Sequence, residues 1–178
     1  MAYRRHGIWI RIAFLLPLSF SVIASTVNDT FLVSAVITGG CAFGSGSGGG
    51  NTNFGTINFG ERADVSTNVN VASTSGAGSL IVTCTPGTAI TIALDYGLNG
   101  GSSSNRYLIN SQGTRTLAYQ LYKDSGYSQV WGTGSLANAI ATFPATTQTY
   151  TIYARLFATS NLPPAGTYTD TVTVTLTY

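Results

Sequence analysis

The residues that could do chemistry are few. The sequence has two cysteines, Cys41 and Cys84, and one histidine, His6. A nucleophilic serine or cysteine needs a base beside it. His6 falls in a leader-like N-terminus, so the rest of the chain cannot build a Ser-His-Asp or Cys-His arrangement. Lys123 is formally able to activate a serine, but Lys123-Asp124-Ser125-Gly126 reads as a turn. Glu61 and Asp64 are the nearest carboxylates in sequence for glycoside hydrolysis, yet Arg62 stands between them in a polar stretch that reads as solvated loop. The glycines at 44, 46 and 48–50 lack the following helix that a phosphate cradle requires. They lead instead into Asn51-Thr52-Asn53-Phe54-Gly55, a connector. Asn28-Asp29-Thr30 matches the glycosylation sequon, a short pattern that arises often by chance. The tyrosines could line a sugar site, but tyrosine is common in ordinary sandwich strands. The expectation is a chain that is not an enzyme, with no cofactor and no metal.

The N-terminus explains where the cysteines belong. Arg4, Arg5 and Arg11 precede the mainly apolar Ile12–Ile23, and Val22-Ile23-Ala24 fits a small-residue cleavage pattern before Ser25. Residues 1–24 therefore read as a secretory signal peptide, too short for a comfortable membrane span. In a secreted chain an even cysteine pair reads as one disulfide. Metal-binding thiols would lack the further His or Cys ligands of a site.

Loss of the leader removes three of eight basic residues, leaving Arg62, Arg106, Arg115, Lys123 and Arg155 against six acids, so the formal charge of +2 becomes −1. That balance excludes nucleic-acid binding, which needs several phosphate-neutralising cations on one face. The 178-residue chain less its 24-residue leader leaves 154 residues, enough for one domain with a real core.

The elements that position these residues are strands. Val172, Val174, Leu176 and Tyr178 alternate with Thr171, Thr173, Thr175 and Thr177, the period of a half-buried strand. A strand this regular is expected to have a neighbour on each side, and the sequence offers no later segment to be one. The sequence therefore predicts a neighbour supplied by another chain.

Phe31–Thr38 has apolar residues in both phases and reads as an inner strand buried on two sides. Further short strands are predicted at Thr56–Phe59, Ser66–Ala72, Leu80–Cys84, Ile90–Tyr96, Tyr107–Ile109, Leu117–Leu121 and Tyr150–Leu156. Asn99-Gly100-Gly101, Lys123–Gly134 and Pro163-Pro164-Ala165-Gly166 punctuate them. No stretch after the leader shows a convincing amphipathic helix. Short strands with Gly-rich turns indicate an all-β sandwich.

Together, Gly39-Gly40-Cys41, the Gly/Ser/Asn loop, Asn53-Phe54-Gly55-Thr56-Ile57-Asn58-Phe59-Gly60, Leu80-Ile81-Val82-Thr83-Cys84 and the closing Pro164-Ala165-Gly166-Thr167-Tyr168-Thr169-Asp170-Thr171-Val172-Thr173-Val174 resemble the spore coat protein U domain family. That family includes the Csu-type pilins of the archaic chaperone–usher pathway. The resemblance covers nearly the whole mature chain, and the closing segment is its most specific part.

The resemblance implies an immunoglobulin-like sandwich lacking its final strand and completed by donor-strand exchange. It divides the chain into signal peptide 1–24, donor segment and start of the first strand 25–40, and sandwich domain 41–178. Phe31, Val33, Ala35 and Ile37 are the implied inserted side chains, with Leu32 and Val36 in the other phase. Val172, Val174 and Leu176 are the implied edge of the acceptor groove. The implied partners are a periplasmic chaperone, an outer-membrane usher and neighbouring subunits of the same or another kind. The chain would pass through the periplasm to a pilus on the cell surface and support adhesion and biofilm formation. A spore or outer coat protein of the same domain family, or a minor or adaptor pilus subunit, are the other readings.

Overall fold

The structure, a computed structural model, describes residues 25–44 and 53–178. The expected signal peptide and most of the glycine loop lie outside these residues. The chain divides into two units, Met1–Val36 and Ile37–Tyr178. In the first, residues 25–36 form neither strand nor helix, and Val27, Phe31, Leu32, Val33 and Val36 are exposed. This corrects the sequence expectation of a buried inner strand over 31–38 and of a first strand starting within 25–40. Apolar residues in both phases would need a partner on each face to form such a strand, and here their side chains are exposed.

The second unit holds every strand of the described residues. In order these are β1 (Cys41–Phe43), β2 (Val69–Ala72), β3 (Leu80–Cys84), β4 (Ile90–Leu94), β5 (Arg106–Asn110), β6 (Thr116–Tyr122), β7 (Asn138–Ile140), β8 (Gln148–Tyr150), β9 (Tyr153–Leu156), β10 (Tyr168–Thr169) and β11 (Val174–Thr177). They form three antiparallel sheets in the orders β1-β3-β8, β10-β5-β6-β9-β2 and β11-β4-β7. The arrangement is an all-β sandwich, as the sequence predicts. Its helical content among the described residues is one short 3₁₀ turn, Gly134–Leu136. None of the described residues forms a helix long and apolar enough to cross a membrane.

The inward phases of β3, β4, β6 and β9 meet in one core. Leu80, Val82, Ile92, Leu94, Tyr119, Leu121, Ala154 and Leu156 are buried in it with Trp131 and Phe143. Trp131 reaches the core from the loop after β6, and its indole N–H donates to the Ile92 carbonyl at 2.9 Å.

Two predicted strands are each split between sheets. Residues 148–156 pair with β3 through β8 and then with β6 and β2 through β9. Between them the Ile152 amide donates to the buried Ser73 hydroxyl at 2.7 Å. The last strand likewise begins as β10 beside β5 and ends as β11 beside β4. At the crossing a side chain replaces the ladder: the Thr173 amide donates to the Asp95 carboxylate at 2.9 Å, while the Asp95 amide donates to the Thr173 carbonyl at 3.0 Å.

A buried cation holds the crossing from behind. Arg106 is fully buried on β5. Its guanidinium donates to the carbonyls of Asp95 (2.6 and 2.9 Å), Trp131 (2.8 Å) and Leu94 (3.3 Å), and to the Gln120 side chain. Desolvation lowers its pKa from the ordinary arginine value, and the ring of bonded oxygens offsets the burial of charge.

Candidate functional site: a cleft beside the last strand

The sandwich is open along one side. Between segment 53–59 and the last strand lies a cleft of about 720 Å³. Phe54, Ile57 and Phe59 form one wall and Val172 and Val174 the other; Leu80, Leu94, Leu108, Leu121, Ile152 and Ala154 form the floor. The floor residues come from β3, β4, β5, β6 and β9 and its immediate approach, so the cleft opens directly onto the core. Phe54 is braced edge-to-face against Phe43 at 5.1 Å, and Phe59 against Tyr119 at 6.3 Å.

The edge of β11 facing away from β4 is unpaired among the described residues. Antiparallel ladders alternate bonded and non-bonded pairs. Because Asp95 and Thr173 form a bonded pair, Leu94 and Val174 form a non-bonded one; the Leu94 amide accordingly turns away to Gly132 at 3.2 Å. The backbone N–H and C=O of Val172, Val174 and Leu176 therefore point outward along the free edge. Their side chains are half-buried against the core while Thr171, Thr173, Thr175 and Thr177 are exposed. One strand thus presents apolar side chains inward and unpaired peptide groups sideways, the chemistry of an exposed edge that another strand can extend.

The opposite wall is not the strand expected over Thr56–Phe59. Gly55 makes a single bridge to Ala77, and the Phe54 carbonyl accepts from the Gly78 amide at 2.8 Å. Beyond that point the segment runs past the cleft with nothing opposite to pair with. A Cβ at Gly78 would overlap the Ile57 side chain, and its φ of 93° favours glycine.

At the base of the N-terminal segment, Cys41 and Cys84 form the expected disulfide, lying directly opposite in the β1–β3 register. Backbone bonds from Thr85 to Gly40 (2.9 Å) and from Gly44 to Ile81 (2.8 Å) extend that pairing at both ends. Outside it, Phe31, Val33 and Ala35 lie in the first unit and Ile37 begins the second; all four are exposed, Ile37 at 90%. Val172 and Val174 line the cleft, and Leu176 continues the same face of β11.

The site also holds residues that sequence reasoning did not single out. Asp170 sits at the crossing from β10 to β11 and lines the cleft. It accepts from the Tyr119 hydroxyl (2.7 Å), the Leu98 and Thr171 amides (2.9 Å each) and the Asn99 side-chain amide (3.0 Å). Burial and the bond to Asp170 push the Tyr119 phenol above its ordinary range. The signal was present in the closing segment, where Asp170 is the one charge within an alternating Thr/Val run.

The geometry agrees with what the chain resembles. Residues 27–175 match the Spore Coat Protein U domain. Protein U of Myxococcus xanthus is 34% identical over 163 residues, covering 87% of each chain. Among solved structures, the CsuC–CsuE chaperone–tip adhesion subunit pre-assembly complex from the archaic chaperone–usher Csu pili of Acinetobacter baumannii contains a chain that is similar at 25% identity with a TM-score of 0.52. That match covers 80% of this chain and 40% of the solved one. An all-β sandwich whose match runs through the cleft walls, the cysteine pair and all but the last residues of the closing strand is a member of the Spore Coat Protein U domain family.

Proposed function

We propose that this protein is a non-enzymatic structural subunit that polymerises by donor-strand complementation into a surface pilus. The observation that carries the reading is the cleft opening onto the core beside the unpaired edge of β11. A strand laid there gains backbone bonds from Val172, Val174 and Leu176 and buries alternate side chains over Leu94, Leu121 and Ile152. The exposed segment carrying Phe31, Val33, Ala35 and Ile37 supplies such side chains from a second copy or from a related subunit.

An exposed apolar edge aggregates unless covered. The solved relative was captured with a chaperone, and a periplasmic chaperone fits the same need here before an outer-membrane usher exchanges it for the next subunit. Adhesion and biofilm formation are the output of such a fibre.

The test is gel electrophoresis of sheared surface material, unheated and after boiling in denaturant. Strand-exchanged polymer gives a ladder that boiling collapses to one band. Val174→Asp, which puts an unpaired charge against the core, is expected to abolish the ladder. Monomer alone from well-expressed wild type, or normal ladders from the variant, would overturn the reading.

A coat protein built from the same domain is the second reading. The match of residues 27–175 to the Spore Coat Protein U domain favours it. Immunogold labelling separates them: extended fibres support the pilus, and a continuous layer around the cell or spore supports the coat.

A further inference from the structure

Most polar groups in the sandwich are explained by turns or ladders. The clamp at the start of the last strand is not. Residues 170–173 leave one sheet and enter another, where a bare backbone would have several good registers. Four groups fix it instead: Tyr119 on β6, the Leu98 amide and Asn99 side chain in the loop after β4, and Asp95 immediately after β4. Gly97, at φ 79°, lets the loop approach so closely that any Cβ there would overlap the Asp170 carboxylate. Asn99 also donates to the Thr169 and Tyr107 carbonyls, at 3.1 and 2.9 Å, tying β10 to β5 at the same point.

The clamp has a direction. It satisfies the Thr171 and Thr173 amides with carboxylate oxygens, Asp170's own and Asp95's. The peptide groups of Val172 and Val174, between and beyond them, are left facing the cleft. A carboxylate makes stronger bonds to amides than a neutral acceptor does, so the register of the free edge is set before any strand arrives.

We propose that Asp170 is a positioning residue for strand capture: through Tyr119, Leu98 and Asn99 it holds the last strand so that the Val172 and Val174 edge is pre-formed. This rests on the strand-acceptor reading above. The partner it serves is an extended, apolar-alternating peptide, and the gain is a docking edge whose ordering cost is met in advance.

The probe is a labelled synthetic peptide of this chain's residues 27–38, added in excess to dilute, freshly refolded mature protein. Association and dissociation are followed beside urea unfolding for the wild type, Asp170→Asn, Tyr119→Phe and the remote control Asn70→Ala, which breaks the Arg155–Asn70 bond of 2.9 Å away from the cleft. Losing a hydrogen bond to a charged group corresponds to about tenfold or more in affinity. Asp170→Asn and Tyr119→Phe are expected to weaken the peptide by at least about tenfold, while Asn70→Ala lowers stability and leaves peptide binding unchanged. Wild-type binding in both cleft variants would overturn the assignment. So would a loss in all three variants that tracks their unfolding midpoints, which marks a purely structural role. If the wild type itself fails to bind, the strand-acceptor reading falls and this proposal falls with it.

Discussion

Replacing Arg106 with methionine tests whether the buried cation is held for its bonds or merely tolerated. Methionine keeps an unbranched stem and much of the volume but donates nothing. The Asp95 and Trp131 carbonyls, which accept from the guanidinium at 2.6 to 2.9 Å, lose that donor, as does the more distant Leu94 carbonyl at 3.3 Å. Gln120 fares better, since its side-chain oxygen still accepts the Leu121 amide at 2.9 Å. Each buried carbonyl left unpaired costs about 1–3 kcal/mol, so the two buried ones, Trp131 and Leu94, cost about 2–6 kcal/mol, while the half-buried Asp95 carbonyl can turn to water. Relief of the desolvated charge offsets part of this. The expected net loss is about 3 kcal/mol, a large share of the ~5–15 kcal/mol that holds a domain of this size together. The assay is equilibrium urea unfolding followed by Trp131 fluorescence, since that indole is 1% exposed when folded. An unchanged midpoint, or a gain in stability, would refute the reasoning and show that the charge costs as much as its bonds return.

Two further outcomes follow from groups already described. The Cys41–Cys84 bridge closes a span of 43 residues, for which the chain-entropy relation gives about 4 kcal/mol. Cys41→Ser/Cys84→Ser is expected to lose about that much in urea unfolding, and a loss well under 1 kcal/mol would show that the entropy argument does not apply here. Burial, first, and the bond to Asp170 raise the Tyr119 pKa above its ordinary 10.0. The folded state then holds a proton that the unfolded state releases, so stability is flat below about pH 10 and falls as pH rises beyond it. Burial raises Tyr122 and Tyr150 in the same direction. Urea midpoints at stepped alkaline pH check this, and the slope is expected to be shallower in Tyr119→Phe.

Alternation made most of the sandwich readable. Leu80–Cys84, Ile90–Leu94, Thr116–Tyr122 and Tyr153–Leu156 are strands where period-two patterning placed them, because each buries one face and the pattern is a direct record of that face. The inward phase of the last strand was legible for the same reason. Where the chain changes sheets the pattern is silent. Tyr150–Leu156 and the closing segment to Tyr178 each read as one strand, and side-chain acceptors at Ser73 and Asp95 mark where the chain passes from one sheet to the next. The short β7, Asn138–Ile140, has too few alternating positions to stand out. Patterning also misread residues 31–38, because it reports what a segment is able to bury and not whether it is buried, and these residues are exposed. Arg106 and Asp170 were hidden for a different reason. Arg106 bonds mostly to backbone carbonyls that only the fold brings close, and Asp170, though it stands out as the one charge in its run, gives no hint in the sequence that Tyr119, Leu98 and Asn99 are its partners.

The pairing scheme also governs when this protein can fold. β2 waits for β9, β4 for β11 and β5 for β10, so Val69 meets Leu156, Leu94 meets Val174 and Asn110 meets Tyr168. Only neighbours such as β5 and β6 close locally. Most of the core stays without its second wall until residues 148–177 have been made. Folding dominated by such distant pairings runs on the order of milliseconds to seconds, with unpaired strands exposed throughout. The interval between synthesis and completion is therefore set by connectivity, and it is then that the unfinished chain is most open to proteases and to wrong pairing with its own copies.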